Sequence, residues 1–74
     1  MKKNNEIKLK KILKNKVVLI TGGAGSIGSS LVKILLNYPV KSIRVFDNNE
    51  HALFKLSHYL HDSRVKPLLG DILN

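Results

Sequence analysis

Apolar and polar positions along this chain change period in a fixed rhythm. The run Val17-Val18-Leu19-Ile20, closed by Thr21, is continuous, as in a strand buried on both faces of a parallel sheet. From Ser26 to about Asn37, Ile27, Leu31, Ile34 and Leu35 fall at i, i+4, i+7 and i+8. Ser29, Ser30, Lys33 and Asn37 take the other face, which predicts an amphipathic helix. Pro39 stops it, because the residue before a proline is pushed out of the α region. Ser42 to Phe46 reads as a second strand, closed by Asp47-Asn48-Asn49, with Arg44 snorkelling to a face not fully covered. Asn48 or Asn49 can cap a second helix, in which Ala52, Leu53, Leu56, Tyr59 and Leu60 repeat at helical spacing to about His61. Val65 to Leu69 is a third strand, and Pro67 within it marks a sheet edge.

The order is β-α-β-α-β. It predicts an α/β fold, the N-terminal half of a Rossmann-type doubly wound parallel sheet, whose strand order 3-2-1-4-5-6 puts the third strand at an edge. Residues 16–74 are expected to form this partial domain, and residues 1–15 a basic leader with a short helix from Ile7 to Leu13.

Between the first strand and the first helix lies Thr21-Gly22-Gly23-Ala24-Gly25-Ser26-Ile27-Gly28. A strand, a glycine turn and a helix in that order make the phosphate-binding corner of a nucleotide-binding unit. Gly22 allows the sharp turn, Gly25 lets the backbone approach a pyrophosphate, and Gly28 allows close packing of the helix on its strand. Free N–H groups of the first helical turn, with the helix dipole, receive the negative charge. Ser26 reads as a pyrophosphate contact rather than a nucleophile, since no base is placed to activate it.

Composition narrows the rest. The 74 residues allow one small domain at most, which buries only about 60% of its unfolded surface. With no cysteine there is neither a disulfide nor a thiolate metal site, and a reducing, cytoplasmic setting is the expectation. No run approaches the roughly 18 apolar residues of a membrane span, and lysines interrupt any signal-peptide core. Net charge is +8, and Lys2, Lys3, Lys8, Lys10, Lys11, Lys14 and Lys16 all precede the first strand. A polybasic arm for nucleic acid or an anionic membrane is one reading. The segment lacks aromatics for base stacking and its apolar face is ragged, so a solvated leader without a nucleic-acid partner is the expectation.

Asp47 ends the second strand, nineteen residues after Gly28. An acid there accepts from the ribose hydroxyls of an adenosine and repels a 2′-phosphate, which favours NAD over NADP. Asn48 adds a contact near the ribose unless it caps the helix. Asp71, after the third strand, can accept from an adenine amino group while Ile72 lines the base pocket; each acid can also be a plain turn residue. His51, His58 and His61 read as solvated helix residues rather than metal ligands, and Tyr38 and Tyr59 as helix-end packing residues.

These residues resemble the extended short-chain dehydrogenase/reductase superfamily, whose signature T-G-x-x-G-x-x-G is matched by Thr21 to Gly28. The strings at 22–29, 45–50 and 69–72 look like those of the polysaccharide-biosynthesis (CapD-type) nucleotide-sugar dehydratases. UDP-glucose 4-epimerases and dTDP-glucose 4,6-dehydratases usually carry an aromatic where Ser26 stands. The resemblance implies that Gly22, Gly25, Ser26, Ile27 and Gly28 touch the pyrophosphate of NAD, and that Asp47, Asn48, Asp71 and Ile72 hold the adenosine. It implies a UDP-N-acetylglucosamine-type substrate and a homo-oligomer for the full-length protein. In the family it resembles, hydride leaves the sugar C4 for the nicotinamide, driven by a tyrosine base in a Tyr-x-x-x-Lys motif; water is eliminated across C5–C6, and hydride returns to C6. That motif lies downstream of the cofactor half. The expectation is therefore an enzyme fragment without catalytic residues, inactive by itself. A free-standing NAD-binding regulatory module, a fragment of either sister family and a basic nucleic-acid-binding peptide are the alternatives.

Overall fold

The computed structural model describes residues 3–70. Six elements follow in order: α1 Lys3–Leu13, β1 Val17–Thr21, α2 Ser26–Leu35, β2 Ser42–Asp47, α3 Glu50–Leu60 and β3 Val65–Leu69. All three strands are parallel, in the order β1-β2-β3. Two parallel neighbours need a crossover between them, and a right-handed crossover repeated in one direction puts both helices on one face. Val32 from α2 and Leu53 and Leu56 from α3 accordingly close over Ile20, Ile43, Val45 and Val65 to form the core.

The opposite face is open among the described residues. Val17 is 50% exposed and Leu19 60%, with Arg44 beside Leu19 in register. The continuous apolar run of β1 predicts burial on both faces, and only one is covered. Arg44 reaches solvent from that open face, as its charge requires.

The helix α2 departs from its expected orientation. Val32 is fully buried, and Leu35 and Leu36 pack beside it, whereas Ile27, Leu31 and Ile34 are exposed at 88%, 43% and 53%. At about 100° per residue the two sets lie on adjacent stripes, so the helix is apolar over more than the one face its sheet covers. Tyr38 packs against the core, but Tyr59 does not: it is largely exposed, with the Lys33 ammonium 5.3 Å from its ring centroid.

At β3, the amide of Gly70 donates to Asp47 and that of Ile43 to the Arg64 carbonyl, so residues of even number face β2. The missing N–H of Pro67 therefore points to the free edge, where it costs no ladder bond. The leader helix is longer than its apolar residues suggest, since Asn4, Asn5 and Glu6 form its first turn and an acid there suits the helix dipole. Asn15 then turns with φ 60° and donates its N–H to the Pro39 carbonyl at 2.9 Å, while Leu13 packs against the core.

One clamp joins the segments that follow α2 and α3. Arg64 donates from Nη1 to the Tyr38 carbonyl at 2.9 Å and from Nη2 to the Leu36 carbonyl at 2.8 Å, just past the end of α2. Asp62 holds the guanidinium through Nε and Nη2 and also accepts the Arg64 backbone N–H. These hydrogen bonds, the side-chain ones first, hold the Asp62 carboxyl below the usual carboxylate range. A lowered folded-state value means the stabilisation is complete above the unfolded value of about 3.9 and is lost as pH falls through the folded one. Asp62→Asn should flatten that acid limb of a pH-melting profile. Arg64→Ala should cost about 1–3 kcal/mol, because two carbonyls and a carboxylate lose a charged donor.

Candidate functional site

At the C-terminal ends of the strands, β1 gives way to the glycine loop. Gly22 sits at φ 65°, a left-handed conformation that favours glycine, and its N–H donates to the Phe46 carbonyl at 2.7 Å. Gly23 lies on the sheet so closely that a Cβ would come within 2.6 Å of Val45 Cγ1 and 2.8 Å of Ile20 Cγ2. Gly28 in turn lies on Gly23, where a Cβ would stand 2.4 Å from the Gly23 Cα. The close packing expected of Gly28 is present, but it is made to the loop backbone. Gly23 was not singled out from the sequence, because the signature treats its position as free; the Gly-Gly doublet was the available signal.

Gly25 is different. It is the N-cap of α2 with φ −75° and ψ 178°, a backbone any residue adopts, and no side chain caps the helix. A Cβ there would meet nothing nearer than the Gly22 carbonyl at 3.8 Å. The N–H groups of Ser26, Ile27 and Gly28 belong to the first helical turn, which has no intrahelical acceptors, so they are directed along the helix axis towards this open space. Ser26 turns its carbonyl to the hydroxyls of Ser29 and Ser30, each at 3.0 Å.

Asp47 closes β2 beside this loop. Its Oδ2 accepts the Ala24 N–H at 3.1 Å and its Oδ1 accepts the Asn49 N–H at 3.0 Å. Asn49, not Asn48, caps α3: its side-chain oxygen accepts the Ala52 N–H at 3.0 Å. Asn48 is thereby left exposed beside Asp47. On the other side, Gly70 donates its N–H to the Asp47 carbonyl at 3.0 Å. Asp71 and Ile72 lie outside the described residues. The loop 22–28 and the Asp47-Asn48 pair thus meet at one corner. His58 and His61 fall elsewhere: His58 stacks on Phe54 at 5.9 Å and lies 5.4 Å from His61, at the far end of α3.

Three parallel strands, two same-face crossovers and a glycine turn opening α2 define the N-terminal half of a Rossmann-like fold. The sequence profile of the polysaccharide biosynthesis protein family matches residues 18–74, and the chain belongs to that family. It is 34% identical over 58 residues to a UDP-N-acetylglucosamine 4,6-dehydratase (inverting) of Campylobacter jejuni, covering 77% of this chain and 17% of that protein. It is 49% identical over 59 residues to an uncharacterized membrane protein of Methanocaldococcus jannaschii, covering 80% of this chain and 18% of that one. Among solved structures, Pen from Bacillus thuringiensis superposes with a TM-score of 0.78 at 40% identity, over 84% of this chain and 19% of that one. The chain therefore spans less than a fifth of the length of these relatives. Among the described residues, no helix is long and apolar enough to cross a membrane.

Proposed function

We propose that residues 16–74 are the NAD-binding portion of a nucleotide-sugar 4,6-dehydratase or epimerase that acts on a UDP-N-acetylglucosamine-type substrate in polysaccharide biosynthesis. One observation carries the reading: the Asp47 carboxylate stands against the crown of the glycine loop, in hydrogen-bond contact with Ala24. Ribose and diphosphate of one dinucleotide need an acceptor and a row of N–H donors side by side, and this corner offers both.

The residues fit such a ligand on two counts. Each Asp47 oxygen accepts one backbone N–H, and a carboxylate has about four acceptor sites, so two remain for a ribose diol. The space above Gly25 is clear of protein atoms where a Cβ would otherwise stand. Gly22, Gly25, Ser26, Ile27 and Gly28 would then hold the diphosphate, and Asp47, Asn48, Asp71 and Ile72 the adenosine. When bound, NAD supplies the acceptor and later the donor of a hydride. The chain's own part is to bind and orient. The resemblance asks for a tyrosine with a lysine four residues on, whereas Tyr38 and Tyr59 are followed at that distance by Ser42 and Ser63. Catalysis therefore belongs to residues other than these.

NADP is the second reading, and Lys33 and Lys55, which line a cavity of about 210 Å³ with Ala24, favour it. We rank it lower because the carboxylate, not an ammonium, touches the loop. Cytoplasmic placement and assembly as a homo-oligomer belong to the same proposal, the exposed Ile27, Leu31 and Ile34 offering apolar surface for contacts.

Calorimetric titration tests the assignment. Asp47→Ala should weaken NAD binding by about 1–3 kcal/mol, the scale for losing a charged acceptor. An unchanged affinity would remove Asp47 from the site. The 74-residue chain incubated with UDP-N-acetylglucosamine and NAD should give no 4-keto sugar, and turnover above a protein-free blank would contradict the division of labour.

A further inference from the structure

Glycine-rich loops lose more conformational freedom on ordering than other segments, so their shape has to be held by specific contacts. Here Gly22 is tied to Phe46, and Gly23 lies close over Val45 and Ile20 of the sheet. Beyond Gly23 the next tie is the Ala24 N–H, and it ends on the Asp47 carboxylate, 23 residues away in sequence. The other carboxylate oxygen is anchored by the Asn49 N–H, and Asn49 itself caps α3. A hydrogen bond to an ionised acceptor is stronger than one between neutral groups.

The geometry points to Asp47 as a positioning residue for the glycine loop, holding the backbone of Gly22–Gly28 in its open shape before any ligand arrives, in addition to whatever contact it makes to a ribose. That the loop receives a diphosphate rests on the function proposed above; that Asp47 holds it does not. The consequence is a coupling: the side chain that reads the ribose also sets the shape of the diphosphate cradle, so losing it weakens ligands that contain no ribose.

Two neutral variants isolate this effect, since both remove the charge that would itself repel an anion. Asp47→Asn keeps one oxygen able to accept the Ala24 N–H; Asp47→Ala keeps none. Two readings are taken on the intact protein: hydrogen exchange of the Ala24 amide without ligand, and affinity for inorganic pyrophosphate. Relative to the Asn variant, the Ala variant should exchange Ala24 roughly 5–10-fold faster and bind pyrophosphate weaker by a similar factor, the worth of one hydrogen bond. Equal exchange and equal pyrophosphate affinity in the two variants would overturn the positioning role, even if wild-type protein binds NAD well. Failure of wild-type protein to bind NAD would instead remove the functional reading, and the Ala24 exchange would still decide whether Asp47 holds the loop.

Discussion

Gly28→Ala should both destabilise the domain and disable the loop. The added carbon would lie 2.4 Å from the Gly23 Cα and 2.7 Å from its carbonyl carbon and oxygen. These are backbone atoms, which cannot swing aside as the end of a flexible side chain can, and Gly23 itself lies too close to Val45 and Ile20 for a Cβ. The start of α2 has to lift off the sheet instead. Overpacking of this kind costs about 1–3 kcal/mol and at times more, against a total stability of about 5–15 kcal/mol for an ordinary domain. A lower melting temperature together with lost NAD affinity is the expected result. A variant that melts and binds as the wild type does would mean that the glycine contact at 23 and 28 is not as drawn.

Gly25→Val should separate function from folding. Its backbone angles are open to any residue, and the Cβ of a new side chain would meet nothing nearer than the Gly22 carbonyl at 3.8 Å. Far-ultraviolet circular dichroism and the melting temperature should therefore stay close to wild type. The valine would instead fill the space in front of the α2 N-terminus and push a diphosphate off the N–H groups there. Losing one or two charge-assisted hydrogen bonds, at about 1.5–3 kcal/mol each, lowers NAD affinity by roughly two orders of magnitude. Full NAD affinity in this variant would mean that the turn serves the fold alone. The pair of substitutions thus assigns opposite work to two glycines that the sequence signature treats alike.

Much of the architecture was legible because strand and helix periods differ so plainly here. The bounds of β1 and β3 fall where the apolar runs place them, and Pro67 correctly marks an edge. What periodicity does not carry is which apolar surface meets which. In α2, Ile27, Leu31 and Ile34 have the spacing of a core face, yet the sheet meets Val32 and Leu35, because the crossover geometry sets the helix rotation. Likewise β1 is apolar on both sides, although the described residues cover one. Close approaches are equally silent in one dimension. Neither the stacking of Gly28 on Gly23 nor the Arg64 grip on Leu36 and Tyr38 follows from local composition. At the candidate site the glycine spacing and the acid at 47 were readable. The hydrogen bond joining them was not.

If this corner binds a dinucleotide through its ribose and diphosphate, Asp47 chooses between the two nicotinamide cofactors. Parallel calorimetric titration of the intact wild-type protein with NAD and with NADP, under one set of conditions, reads that choice. A carboxylate at the ribose opposes a 2′-phosphate, so NAD should bind measurably tighter. NADP binding as tightly as NAD, or tighter, would contradict it.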